Sequence, residues 1–117
     1  MEIQEVMSML FEIEVNGHIA HLQTESYAQH MALNELYTGI VDLRDRIAEV
    51  YQSAFGIIGN YPQINIVEGG DMVQYLKTRI FRLREFRETL QKSEMQQIMD
   101  DIIEFIESVI YKLKFLK

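Results

Sequence analysis

The chain is 117 residues long, with 48% hydrophobic and 25% charged residues, one proline and no cysteine. This composition is typical of one globular domain, and it excludes disulfides, thiolate metal sites and cysteine nucleophiles. The net charge of −7 argues against a nucleic-acid partner, because the summed field repels phosphate backbones. Without an apolar run long enough for a membrane span, and with glutamates in place of the basic residues of a secretory signal, the sequence predicts a cytoplasmic protein with no membrane partner.

The charge is distributed unevenly along the chain. Residues 1–70 carry a net charge of −8, residues 71–92 carry +3 and residues 93–117 carry −2. The basic segment, from Lys77 to Lys92, can either meet an acidic partner or balance acidic neighbours within one bundle. The sequence leaves the role of this segment open.

Apolar residues at three- and four-residue spacing predict four amphipathic helices, over about residues 2–22, 26–55, 71–91 and 94–116. Ser26 with Gln29, and Ser93 with Gln96, have the form of capping boxes, and Asp71 is placed to cap the third helix. The apolar stripe of the second helix is assigned to Tyr27, His30, Leu33, Tyr37, Val41, Arg44 and Ala48.

Residues 56–70 contain four of the six glycines and the only proline, which indicates a connection without helix. A connection of this length can travel along a whole helix bundle. The sequence therefore predicts a single all-α domain over residues 1–117. In this domain, one long crossover joins two helical hairpins into a four-helix bundle, with helices crossing at roughly 20°.

The candidate chemistry lies in the first two helices. Three histidines, His18, His21 and His30, fall near the turn of the first hairpin, which should bring their imidazoles together. Asp45 and Glu49 are four residues apart and share a helix face. Imidazoles and carboxylates without thiolates suit iron, with manganese or zinc as alternatives. We find no motif for an organic cofactor.

Two sets of residues resemble known proteins. The spacing His-x11-His-x14-Asp-x3-Glu, formed by His18, His30, Asp45 and Glu49, resembles the iron site of mini-ferritins, the DNA-binding proteins from starved cells. Longer segments resemble a small ferritin-like family found largely in bacteriophages. These segments are HLQTESYAQHMALNELY (21–37), DRIAEVYQSAFG (45–56) and DDIIEFIESVIYKLKFL (100–116).

The resemblance implies a ferritin-like fold, a location in the host cytoplasm and a metal site made of His21, His30, Asp45 and Glu49. His18 is the alternative to His21, because the local motif H-x-Q-T-x-S-Y-A-x-H begins at His21. The histidines would come from one subunit and the carboxylates from its two-fold mate, so the protein would be at least a homodimer. Asp45 lies about 22 Å along the helix from His30, and this distance is too long for the two side chains of one subunit to share a metal ion.

The function implied by this resemblance is metal binding, with Fe(II) oxidation or buffering; whether the protein turns over as an enzyme is left open. Tyr27 and Tyr37 are candidates for hydrogen bonding around the site, and Asp100, Asp101 and Glu104 form a weaker second acidic site. The chain contains no Glu-x-x-His, which excludes a di-iron site inside one bundle. The alternative is a non-enzymatic helical oligomer, acting as a phage accessory module that binds an unknown host protein or a small ligand.

Overall fold

A computed structural model describes all 117 residues as four α-helices without strands. The helices are α1 (Ile3–Gln23), α2 (Tyr27–Phe55), α3 (Met72–Thr89) and α4 (Ser93–Phe115). Each lies within two residues of the predicted range, so the all-α fold of four helices is confirmed. No helix combines the length and the apolar character that crossing a membrane requires.

The helices pack as a square bundle in which α1 and α4 each contact both α2 and α3. Ion pairs fix the directions, because Lys112 contacts Glu35 while Asp101 contacts Arg46 further along α2. Neighbouring helices are therefore antiparallel, and the chain runs up, down, down and up. The α1–α2 side and the α3–α4 side lie on opposite faces of the bundle.

Local capping explains three of the four helix starts. Glu2 and Glu5 form a capping box at α1, and Asp71 accepts hydrogen bonds from the Val73 and Gln74 amides at α3. The Ser26 hydroxyl accepts from the Gln29 amide, which is half of the predicted capping box. The Ser26 amide donates to the Thr24 hydroxyl and not to the Gln29 side chain. The capping box predicted at Ser93 is wrong. Lys92 is the residue before α4, and the Gln96 side chain instead donates to the Leu90 carbonyl.

The core contains 26 buried apolar residues from all four helices and the crossover. On α4 the buried seam runs from Met95 to Leu113, while Leu116 lies beyond the helix and is half exposed. The predicted stripe of α2 is wrong in part. Its buried residues are Ala32, Leu33, Leu36, Ile40, Arg44 and Ile47, so the core face is rotated away from Tyr27, His30, Tyr37 and Val41.

The crossover after α2 runs without regular structure along α1 towards the start of α3. The Ser8 hydroxyl donates to the Pro62 carbonyl near its beginning. Further along, buried Asn16 donates to the Asn65 carbonyl and accepts from the Val67 amide. These bonds satisfy backbone groups that no helix or sheet pairs. The long crossover predicted from its glycines is thus confirmed, and Asn16 fixes its path.

Gly39 allows α2 and α4 to approach closely. A Cβ atom at this position would lie 2.4 Å from the tip of the Phe105 ring, far inside van der Waals contact. Gly39 lies inside α2 without interrupting it. The glycine therefore serves packing between the helices, because the Phe105 ring occupies the space that a side chain at position 39 would take.

Candidate functional site

The expected proximity of the imidazoles is observed at the α1–α2 turn. The rings of His21 and His30 stack with their centroids 3.6 Å apart and an interplanar angle of 22°. His18 meets the edge of His21 at 5.9 Å and stacks on Tyr37 at 3.8 Å. His21 is buried and His18 is exposed. The hairpin therefore forms an aromatic stack of three imidazoles and one phenol.

Reciprocal hydrogen bonds hold the central pair. The Nδ1 atom of His21 lies 2.7 Å from the His30 carbonyl oxygen, and the Nδ1 atom of His30 lies 2.9 Å from the His21 carbonyl oxygen. A carbonyl oxygen only accepts, so each Nδ1 must carry a proton and donate. In the neutral imidazole this tautomer leaves the lone pair on Nε2, the atom that binds metals.

The turn places these donors where the backbone needs them. The last carbonyls of α1 have no partner inside the helix, and the His21 carbonyl is one of them. Thr24 and Ser26 shape the turn, since the Thr24 hydroxyl accepts from the Ser26 amide and donates to the Gln29 side chain. His30 therefore also caps the end of α1.

The structure does not bring the predicted carboxylates to the histidines within one subunit. Asp45 and Glu49 are exposed on α2. At 1.5 Å per residue they lie about 22 Å and about 28 Å beyond His30 along the helix. No group of three or more histidine or acidic side chains is placed to hold a metal ion. The shared site between two subunits stays a prediction.

Arg44 is a buried residue beside Asp45 that the sequence reasoning assigned only to an apolar stripe. Its guanidinium forms an ion pair with Glu14 and lies 3.9 Å from the centroid of the Phe11 ring. The Arg44 Nε atom is 3.4 Å from an Asp45 oxygen but makes no hydrogen bond. Asp45 thus has a cationic neighbour on its own helix, whereas Glu49 forms no ion pair.

The two tyrosines predicted near the site differ in position. Tyr37 belongs to the stack, and its hydroxyl donates to Asn34 at 2.8 Å. Tyr27 is 77% exposed and does not join the rings. Only Tyr37 is therefore placed to influence the histidines of its own subunit.

The weaker acidic site is not assembled as a cluster. Asp100 accepts two hydrogen bonds from the Arg87 guanidinium on α3. Asp101 instead accepts from Arg46 on α2 and from Gln97. Glu104 is exposed. The first two carboxylates thus face different helices, and each is neutralised by an arginine.

A polar network around Glu12 was not foreseen from the sequence. The Glu12 carboxylate accepts hydrogen bonds from Arg79, from the Tyr75 hydroxyl and from the Asn65 amide. Burial raises the pKa of Glu12, but these hydrogen bonds outweigh it and hold that pKa below its ordinary value. Burial also raises the pKa of Tyr75 to about 12.

Asn16 donates to the same Tyr75 hydroxyl, so the network joins α1, the crossover and α3. The available sequence signal is Asn16 itself, a polar residue three positions after Ile13 on the buried face of α1. A polar residue at a core position requires partners, although the sequence does not identify them.

Comparison with known proteins gives a family. The family model described as a family of unknown function, DUF5856, matches residues 21–113, most of the chain. The chain belongs to this family. It is also 26% identical over 112 residues to an uncharacterized 14.6 kDa protein in the mobD–ri intergenic region of Enterobacteria phage T4.

That alignment covers 96% of this chain and 84% of the phage protein. The source of the relative agrees with the phage association expected from the resemblance. No solved structure matches the chain. The matched family segment begins at His21 and includes His30, Asp45 and Glu49, whereas His18 lies outside it.

Proposed function

We propose that the protein is a ferritin-like homo-oligomer that binds Fe(II) between subunits, through His21 and His30 of one and Asp45 and Glu49 of the other. The observation that carries the proposal is the tautomer of the stacked pair. Both Nδ1 atoms donate hydrogen bonds to carbonyl oxygens. Each Nε2 atom of the neutral rings therefore keeps a lone pair that can bind a metal ion. Such outer hydrogen bonds typically orient metal-binding imidazoles.

The fold is compatible with this proposal. Two antiparallel hairpins joined by one long crossover, with helices running up, down, down and up, are the arrangement of ferritin-like bundles. The donor set also fits, because neutral imidazoles and carboxylates without thiolates suit Fe(II), and Mn(II) or Zn(II) as alternatives. His18, stacked on Tyr37, is the substitute donor if His21 stays buried.

Each residue has a defined role in the proposed site. Each imidazole would hold one Fe(II), because the in-plane lone pairs of stacked rings do not converge on one ion. Glu49, exposed and without an ion pair, would be the carboxylate shared by the two ions. Asp45 completes the set only if it gives up its contact with Arg44. Iron is the substrate in this proposal. Oxidation of two Fe(II) to two Fe(III) would transfer two electrons to one dioxygen, which would take up two protons from water and leave as hydrogen peroxide.

Fe(II) titration without oxygen, followed by addition of oxygen and measurement of absorbance near 300 nm, tests the proposal. We expect wild-type protein to bind and oxidise iron faster than the buffer, and His30→Ala and Glu49→Ala to lose both properties. Glu85→Ala is the matched control, because Glu85 is an exposed helical glutamate without an ion pair on α3. Light scattering should report a dimer or a larger even-numbered oligomer. A monomer at micromolar concentration would contradict the shared site.

A second candidate function is the non-enzymatic helical oligomer, a phage accessory module. The histidine pair favours it in one respect, because stacking and carbonyl capping give both rings a structural role without any metal. Iron binding that is equal in wild type, His30→Ala and Glu49→Ala would make this second function the better account.

A further inference from the structure

The side of the bundle opposite the histidines contains an apolar groove between α3 and α4. Ile80 and Ile110 form its buried floor. Phe81, Tyr111 and Phe115 line it and are 67%, 54% and 65% exposed. Three large aromatic side chains in one exposed groove are unusual for a surface that nothing covers, since contiguous apolar patches commonly mark interaction sites.

The rim of the groove is basic. Lys77 and Lys114 line it and form no ion pair, whereas Arg84 is neutralised by Glu107 at 2.9 Å. Two uncompensated positive charges therefore flank the aromatic rings, in a chain whose net charge is −7. This local reversal of sign distinguishes the groove from the acidic first half of the molecule.

We propose that this groove binds an acidic amphipathic helix of a partner protein, with aromatic or aliphatic side chains against the floor and carboxylates facing Lys77 and Lys114. A helix of this kind presents its apolar side chains at positions i, i+3, i+4 and i+7, which suits a groove between two parallel ridges.

Charge argues against the other occupants. A second copy bound through a two-fold axis would bring the same net positive rim to both sides of the interface. An anionic membrane or a nucleic acid would meet the groove lysines but would be repelled by the rest of a chain carrying −7. An acidic helix carries fewer negative charges than a membrane surface or a nucleic acid, so the rest of the chain repels it less.

This inference is independent of the proposed metal site. The groove is on the α3–α4 side, whereas the histidines and the exposed carboxylates belong to α1 and α2. Failure of iron binding would therefore leave the groove proposal unaffected, and the converse also holds.

Selection from a display library of helical peptides against the full chain tests the proposal. The library allows Glu, Lys, Leu, Phe and Ala at every position of an about 18-residue helix, five turns long. We expect enriched peptides to be acidic, with apolar residues on one face. The Kd of an enriched peptide, measured by fluorescence anisotropy, should rise at least about tenfold for Phe81→Ser/Phe115→Ser and for Lys77→Glu/Lys114→Glu.

Phe55→Ser and Lys92→Glu are the matched controls, since both side chains are exposed and lie at the other end of the bundle. These control variants should bind the peptide as wild type does. The charge-reversal variant keeps the test informative if the aromatic variant unfolds, and circular dichroism reports folding in both.

Four results would overturn the proposal. The first is an absence of enriched peptides, and the second is enrichment of basic peptides. The third is equal affinity in wild type and the charge-reversal variant. The fourth is a groove that binds another partner more tightly than it binds the enriched peptide. Such a partner would be a vesicle of phosphatidylglycerol and phosphatidylcholine, single-stranded DNA, or a second copy of the chain. A second copy would be shown by sedimentation in which only Phe81→Ser/Phe115→Ser dissociates.

Discussion

The histidine turn and the aromatic groove lie on opposite sides of one bundle. They differ in how far their aromatic side chains are packed and hydrogen-bonded. At the turn, His21 and His30 satisfy each other's backbone through their Nδ1 atoms and stack face to face. In the groove, Phe81 and Phe115 have most of their surface exposed. Removing a side chain should therefore cost folding energy at the turn and almost none in the groove.

The largest expected effect comes from the core that both sides share. Ile106→Ala should lower the free energy of unfolding by about 2–5 kcal/mol, because Ile106 is fully buried in the α4 seam and its truncation leaves a cavity. Chemical denaturation monitored by circular dichroism measures this change. Leu116→Ala, beyond the end of α4, is the control and should cost far less. A loss under about 0.5 kcal/mol for Ile106→Ala would mean that the seam is not the core.

The next effect concerns Glu12, which connects the histidine-bearing helix α1 to α3, one wall of the groove. Replacing Glu12 by Gln should cost about 1.5–3 kcal/mol at neutral pH, since hydrogen bonds to a charged group are lost. Because the folded-state pKa of Glu12 is lowered, its contribution is present above the ordinary value of 4.5 and is lost as the pH falls through the folded-state value.

Denaturation of wild type and Glu12→Gln at several pH values checks this sign. The difference in stability between the two proteins should shrink as the pH falls below about 4.5. Glu85→Gln, at an exposed position of α3 without an ion pair, is the control for carboxylates in general. A difference that is constant down to pH 2 would show that Glu12 is not ionised in the network.

His30→Ala tests the histidine turn directly. It should lower the free energy of unfolding by about 1–2 kcal/mol without metal, because the His21 carbonyl loses its donor and the stack loses a ring. Thermal unfolding in the presence of a chelator measures this loss. His18→Ala, which removes an exposed ring without a backbone hydrogen bond, should cost less. Equal losses would show that the reciprocal bonds do not stabilise the turn.

The smallest effect is expected in the groove. Phe81→Ser should change the free energy of unfolding by no more than about 0.5 kcal/mol, as is usual for exposed positions away from special features. The same denaturation experiment measures it. A loss as large as that of His30→Ala would contradict the contrast between the two sides, because Phe81 would then contribute to folding.

The fold was predictable because its determinants are local. Helix periodicity, the caps at Ser26 and Asp71 and the glycines of the crossover all lie within short windows of sequence. The core face of α2 was misassigned because two stripes compete on this helix. The stripe through Tyr27, His30 and Tyr37 is spaced by three and seven residues, and the buried stripe through Leu33, Leu36 and Ile40 by three and four. Both spacings fit the helical period.

The polar contacts were predictable only where few residues of the chain separate the two side chains in contact. The hairpin brings His21 and His30 together across nine residues, whereas Asn16 meets Tyr75 across 59 residues. Glu12 and Arg79 are 67 residues apart. Pairings at such separation depend on how two hairpins dock, which residue spacing does not encode. The relation of Asp45 and Glu49 to the histidines depends in turn on a second subunit.

The close approach of α2 and α4 at Gly39 affects how the two hairpins pack against each other. Phe105 of the second hairpin inserts its ring where α2 has no side chain. The neighbouring positions one turn away, Glu35 and Leu43, both carry side chains. Sliding α4 by one turn would bring the Phe105 ring against these side chains, so close packing at Gly39 disfavours a shifted register of α4 on α2. The contact between Gly39 and Phe105 therefore helps to set the position of the second hairpin along the first. The relative position of the histidine turn and the aromatic groove depends on this alignment.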